Sequence, residues 1–211
     1  MSHLGPPPTL FTATTILSLG ATVALLLSAL FLAERLLPRS IYRDTVQRYT
    51  FVWLAFDALT HFILEGSFLY QSFPRPRTVN SSQGAFAALW QEYARADTRW
   101  GTSDATVVSI ELITVLMAGP LCVYIMDLMR KGNQSWRYWT TGEIYGGMMT
   151  FFPEWITGSP SLNTSHPLYT YVYLLFFNGL WVVIPLYLMY DSYKHIVRAL
   201  GASSNAEKKL S

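Results

Sequence analysis

Asp57, His61 and Glu65 follow one another at steps of four residues inside an apolar run from about Tyr49 to Tyr70. In a helix that step places all three side chains on one face. A second run, from about Thr106 to Met129, holds Glu111 and Thr114 three residues apart, with Asp104 two turns earlier. A third, from Pro167 to Tyr190, has no formally charged residue but carries Asn178 and Trp181, again three apart. A charged side chain at the centre of a bilayer costs from about 2.5 to more than 10 kcal/mol. Such groups therefore face a cavity or a partner. A polar network that merely pairs helices is the plain alternative. Two carboxylates, an imidazole, a hydroxyl and an amide distributed over three helices favour chemistry instead: binding a cation, relaying protons or acting on an apolar substrate.

Several chemistries are poorly supported by the residue types present. His61 and Glu65 at i, i+4 could share a metal ion, but a catalytic zinc site usually takes three protein ligands. His3 and His195 lie outside the apolar runs, His166 sits at the edge of one, and no HExxH pattern occurs. No metal is expected. There is no GxSxG nucleophile motif, no Cys–His pairing and no glycine-rich phosphate loop. Cys122, the one cysteine, reads as a small apolar residue within a helix. What remains is acid–base work in a dry pocket. Desolvation disfavours the charged form of a carboxylic acid, so such an acid can keep its proton and deliver it to a base as poor as an alkene. Aromatic faces, tryptophan best, can then stabilise the resulting cation, and Trp181 is placed for that role.

The elements that must position these groups are membrane helices. The chain has 211 residues, 51% hydrophobic and only 13% charged, well below the quarter usual in soluble domains. A net charge of +2 with no basic–aromatic cluster gives no reason to expect nucleic acid. Residues 1–9 read as a short segment on the lumenal side. The run from about Leu10 to Ala33 is long enough to span roughly 20 residues of bilayer core and lacks the basic start of a secretory signal. With a fourth, interrupted run from about Trp136 to Trp155, the reading is an all-α integral membrane bundle of five transmembrane helices over residues 10–195, followed by a cytosolic tail, 196–211. Arg35, Arg39, Arg43, Arg48, Arg130, Lys131, Arg137, Lys194, Arg198, Lys208 and Lys209 then share one side, and Arg75, Arg77, Arg95 and Arg99 the other. The positive-inside rule makes the first side cytosolic, with the N-terminus lumenal. Lys208 and Lys209, third and fourth from the end, have the form of a dilysine retrieval signal of the endoplasmic reticulum membrane. Asn80-Ser81-Ser82 and Asn163-Thr164-Ser165 are sequons on the expected lumenal side.

Ordered segments of the chain resemble one family. His61-Phe62-Ile63-Leu64-Glu65-Gly66 is similar to the HxxxEG segment of the emopamil-binding protein family, the sterol Δ8–Δ7 isomerases. Leu89-Trp90-Gln91-Glu92-Tyr93-Ala94-Arg95-Ala96-Asp97-Thr98-Arg99 resembles its LWKEYxxxDSR segment, and Glu111-Leu112-Ile113-Thr114 with Gly119-Pro120 its ExIT…GP motif. Ile144-Tyr145-Gly146, His166-Pro167-Leu168-Tyr169, Asn178-Gly179-Leu180-Trp181 and Pro185 continue the match in order. The resemblance implies a five-helix membrane domain over roughly 47–192 that shifts a double bond by protonation to a carbocation and deprotonation, without cofactor. By position it implies His61, Glu65, Glu111, Thr114, Asn178 and Trp181 as catalytic, with Asp57, Asp104 and Tyr145 as further pocket candidates. His61 and Glu65 would form the donor–relay pair, and Glu111 would be the base or electrostatic stabiliser. It implies a sterol or terpenoid substrate drawn from the membrane lipid bilayer and inhibition by cationic amphiphilic amines, and leaves a homodimer open. Asp57, Gly147, Trp100 and the Phe152–Trp155 end depart from the family pattern, which keeps open a related isomerase or proton-initiated cyclase of terpenoids, and a lipid-binding protein without catalysis.

Overall fold

A computed structural model describes residues 11–138 and 143–210, with backbone alone at 138, 143–145 and 204–210. The expected lumenal segment 1–9 and the side chains of Tyr145, Lys208 and Lys209 lie outside the described residues. Short polar residues start the long helices. Thr12 caps α1 (Ala13–Leu36) by exchanging side-chain and backbone hydrogen bonds with Thr15. Asp44 opens α2 (Thr45–Ser72) by accepting from the Gln47 amide at 3.1 Å. Two short helices, α3 (Ala85–Tyr93) and α4 (Thr98–Thr102), lie between α2 and α5 (Ala105–Arg130). The chain then forms α6 (Glu143–Ile156) and a last long helix, α7, built of Leu168–Phe177 and Asn178–Leu210.

Four of these segments, Ala13–Leu36, Thr45–Ser72, Ala105–Arg130 and Leu168–Ser203, are long and apolar enough to cross a membrane. The described residues are otherwise helix and loop, with a single isolated bridge between Asp97 and Leu162, so the fold is all-α. The fourth expected span is shorter than its apolar run: α6 has 14 residues, with Pro153 inside it. At 1.5 Å per residue it rises about 21 Å, less than an apolar core of about 30 Å. Helix α7 continues to Leu210, through most of the segment expected as a tail from residue 196.

The outer surface is that of a protein dissolved in lipid. Leu17 is 72% exposed, Leu116 68% and Val183 67%. In water such a surface would be an aggregation liability; in a bilayer it is the correct solvent match. Inside, Ala29 and Ala33 are fully buried and four residues apart, which lets α1 approach α2 closely around Phe51, Leu54, Ala55 and Phe56. A second core lies under α3 and α4, where the Trp90 and Trp100 rings stack 4.7 Å apart and Phe68 packs 4.8 Å from Trp100.

Three of the membrane helices contain π-helical turns, at Thr60–Glu65 in α2, Thr114–Ala118 in α5 and Leu168–Phe177 in α7. Part of the cause in α5 is readable: Pro120 has no N–H, so the ladder cannot hold the Leu116 carbonyl, and the wide turn lies immediately upstream. Such turns cluster at functional sites.

Candidate active site

The widened turn in α2 determines how the acidic stripe lines up. An α-helix turns 100° per residue, so eight residues drift by about 80°; the wider π turn removes part of that drift. His61 Nδ1 thereby reaches Glu65 Oε2 at 2.5 Å. From α5 the Thr114 hydroxyl lies 2.7 Å from the same Glu65 oxygen and 3.0 Å from Glu111 Oε2. It is also 3.1 Å from the Glu111 carbonyl. One hydroxyl therefore bridges two carboxyl groups carried by different helices. Gly119 makes that approach feasible, because a Cβ there would lie 2.9 Å from the Phe62 ring and 3.3 Å from His61 Cβ.

Behind His61 stands Asp57, fully buried. Its Oδ1 accepts from Trp181 Nε1 at 2.8 Å, and its Oδ2 from the Cys122 thiol at 3.3 Å. His61 Nε2 lies 3.3 Å from Oδ1, within ion-pair range but off the line of a hydrogen bond. The sequence order Asp57, His61, Glu65 is thus also a spatial order of carboxylate, imidazole and carboxylate. Trp181 packs its ring against Trp53 at 5.4 Å and Phe56 at 6.1 Å.

His61, Glu65, Glu111, Thr114, Cys122 and Trp181 border one cavity of about 380 Å³, within the range of small-molecule sites, and Asp57 lies behind its wall. Its walls are chiefly apolar and aromatic, and include Trp90, Trp100, Phe177 and Trp181. Asn178 borders it too. Its amide donates to Tyr93 Oη at 3.1 Å and to the carbonyls of Tyr173 and Leu174 at 2.9 and 2.8 Å, which closes the π-helical segment. Burial pushes the Tyr93 hydroxyl above its ordinary pKa, so it remains protonated.

An ion-pair hub fixes the wall formed by α6. The Arg99 fork binds Asp97 twice, at 3.0 and 2.7 Å, and its third nitrogen donates to the Thr150 carbonyl at 2.7 Å. Burial opposes the Arg99 charge, but the bonds to Asp97 outweigh it and raise its pKa, so Arg99 keeps its charge. Gly147 and Thr150 of that wall face the cavity.

Residues 85–192 match the EXPERA family (EXPanded EBP superfamily). The chain belongs to the EXPERA family. A 3-beta-hydroxysteroid-Delta(8),Delta(7)-isomerase of Cavia porcellus is 34% identical over 164 residues, 75% of this chain and 69% of that protein. The protein of the same name from Rattus norvegicus is 29% identical over 171 residues, 79% of this chain and 72% of the other. A protoglabretal synthase of Citrus sinensis is 26% identical over 150 residues, 68% of each chain.

Within this EXPERA chain, His61, Glu65, Glu111 and Thr114 are joined by hydrogen bonds, and Trp181 joins them through Asp57. Asn178 shares the cavity but bonds to a different group of residues. Asp104 is not brought to the site: its carboxylate caps α5 by accepting from the Thr106 amide at 2.8 Å. Cys122 is more than an apolar filler, since it borders the cavity and touches Asp57. Glu92, Tyr93 and Tyr173 also border the cavity, and the residue types alone did not single them out. For Glu92 and Tyr93 the available signal was a carboxylate and a tyrosine beside Trp90 in a segment with family resemblance. For Tyr173 the signal was its place four residues after Tyr169 in the stretch from His166 to Pro185 that resembles the family.

Proposed function

We propose that this chain is a cofactor-independent membrane isomerase that moves a double bond of a sterol-like alkene from Δ8 to Δ7, with catalysis by His61, Glu65, Glu111 and Thr114. The observation that carries this reading is the Thr114 hydroxyl, held between Glu65 at 2.7 Å and Glu111 at 3.0 Å on the border of an apolar cavity. A hydroxyl has one proton to give and two lone pairs to receive. It can therefore donate to one carboxylate while accepting from the other carboxylic acid.

A proton held on the Glu65–His61 pair passes to the alkene and leaves a carbocation on the neighbouring ring carbon. The indole of Trp181 and the other aromatic walls stabilise that cation in the absence of water. Glu111 removes a proton from the adjacent carbon and the double bond re-forms one position away. Thr114 then carries the proton from Glu111 back to Glu65, so one proton enters the hydrocarbon, one leaves, and the site is restored. Asp57 keeps the imidazole and the indole in place. Cationic amphiphilic amines would mimic the carbocation and occupy the same cavity.

Membranes carrying the protein, incubated with a Δ8-sterol in deuterated water, test the reaction. Deuterium in a Δ7 product is expected; sterol recovered bound, unlabelled and unchanged would overturn it. A terpenoid substrate is the second reading. It is favoured by similarity to the Citrus sinensis protoglabretal synthase and by the open wall at Gly147, where a Cβ would meet nothing nearer than Val182 Cγ2 at 3.8 Å. Triterpenoid alkenes and epoxides in the same assay separate the two.

The reading also takes α6, with residues beside it, as a fifth crossing of a domain over 10–195. The distribution of Lys and Arg supports it, placing the N-terminus in the lumen and the C-terminus in the cytosol. Lys208-Lys209 fits residence in the endoplasmic reticulum. Glycan addition at Asn80 or Asn163 reports that orientation, and modification of a sequon placed at the C-terminus instead would reverse it.

A further inference from the structure

The cavity has a second polar region that the proton cycle does not use. Glu92, 5% exposed, borders the cavity from the end of α3. Its Oε1 accepts from Thr15 Oγ1 of α1 at 2.9 Å and from the Tyr173 hydroxyl of α7 at 3.2 Å, and its Oε2 accepts from Arg95 at 3.0 Å. A carboxylate offers about four acceptor positions. Three of them are taken on Glu92 among the described residues, which leaves one for an incoming O–H.

We infer that Glu92 and Tyr173 form a hydroxyl-binding subsite that orients an alcohol-bearing polycyclic substrate in the cavity. The inference rests on the isomerase reading and adds to it where the far end of the substrate lies. A hydroxyl taken from water or headgroups into an apolar cavity loses its hydration, and only a polar partner offsets that loss. A 3-hydroxy-Δ8-sterol has its hydroxyl and its alkene on different rings, so one polar region cannot serve both. The proton-transfer residues take the alkene, and Glu92 lies at a different depth. Along α7, Tyr173 precedes Trp181 by eight residues, up to about 12 Å of helix rise and within reach of a tetracyclic skeleton. Glu92 and Thr15 stand near helix ends on the same rim of the bundle as the start of α7, so the hydroxyl would sit at the rim and the alkene deeper in.

The test is an affinity ratio. The full chain in detergent is titrated with a 3-hydroxy-Δ8-sterol and with the same sterol lacking the hydroxyl, and tryptophan fluorescence reports binding. A hydrogen bond to a charged acceptor predicts a preference for the alcohol of about tenfold to hundredfold. Tyr173→Phe and Glu92→Gln should each reduce that ratio to about threefold or less. Because Glu92 also ties α1 to α7, Tyr173→Phe decides the matter if Glu92→Gln does not fold. A ratio near one in the unaltered protein, or one that survives in Tyr173→Phe, overturns the subsite. Deuterium uptake in the same samples judges the reaction separately. Δ7 product without preference retains the isomerase and removes the subsite, whereas preference with neither label nor Δ7 product retains the subsite and removes the isomerase.

Discussion

Trp181 Nε1 donates to Asp57 Oδ1 at 2.8 Å across 124 residues of chain. Asp57 fits no family pattern, yet it is fully buried and joins the indole on the cavity wall to the imidazole of the donor pair. Asp57→Asn keeps an acceptor for the indole but replaces one carboxyl oxygen behind His61 with an amide nitrogen. It should lower kcat about tenfold while leaving KM within about twofold. Asp57→Leu also orphans the buried indole N–H, a penalty of about 1–3 kcal/mol, and should lower thermal stability as well. Unchanged kcat in Asp57→Asn would remove Asp57 from the proton-transfer group.

Glu65→Gln should reduce turnover by about 10²–10⁴-fold, the usual range for losing a positioned acid. The amide is nearly isosteric, so the protein should still fold and bind a cationic amphiphilic amine. Measuring turnover and amine affinity on one preparation separates chemistry from binding, and full activity in Glu65→Gln would reassign the donor.

Thr114→Val preserves shape but removes the bridging hydroxyl. Its kcat should fall about 10²-fold, and Thr114→Ser should recover most of it. Single-turnover kinetics sharpen the test: a group needed only to return the proton limits repeated cycles more than the first. Equal loss in both regimes would make Thr114 an orienting group instead.

Gly119→Ala separates stability from activity. The added Cβ would press on the Phe62 ring, which is half exposed and can swing into lipid, and on His61 Cβ, which has no such freedom. Thermal stability should change by less than about 1 kcal/mol, at the low end for added core bulk. The kcat should fall by about an order of magnitude. Loss of stability with unchanged kcat would show that the close contact serves packing alone.

Much of this arrangement could be read from the residues. The four long helices followed from apolar runs, because lipid demands a continuous apolar surface. His61, Glu65, Glu111 and Thr114 followed from the energetic penalty of polar groups in such runs and from their spacing. Other parts were hidden for physical reasons. Asp57 was conspicuous, but its partner is set by how α2 packs on α7, which local sequence does not encode. Widened turns leave only a weak trace, since a step of four suits an α-helix nearly as well. Asp104 looked like a pocket acid two turns before Glu111, although a helix-start reading was available from its place just before an apolar run. Glu92 acquires meaning only when Thr15 and Tyr173 converge on it from distant parts of the chain.

The family match begins at residue 85, whereas Asp57, His61 and Glu65 lie before it. Donor and acceptor of the proposed reaction are thus contributed by two separable stretches of chain. In a chimera with a relative, exchanging only residues 85–192 would transplant Glu111, Thr114, Asn178 and Trp181 but leave the acid behind. Fragment complementation should therefore work when α1 and α2 are co-expressed with the remainder, and neither piece alone should turn over substrate. For recombination and for gene fusion alike, the proposed catalytic unit begins upstream of residue 85, where the family match starts.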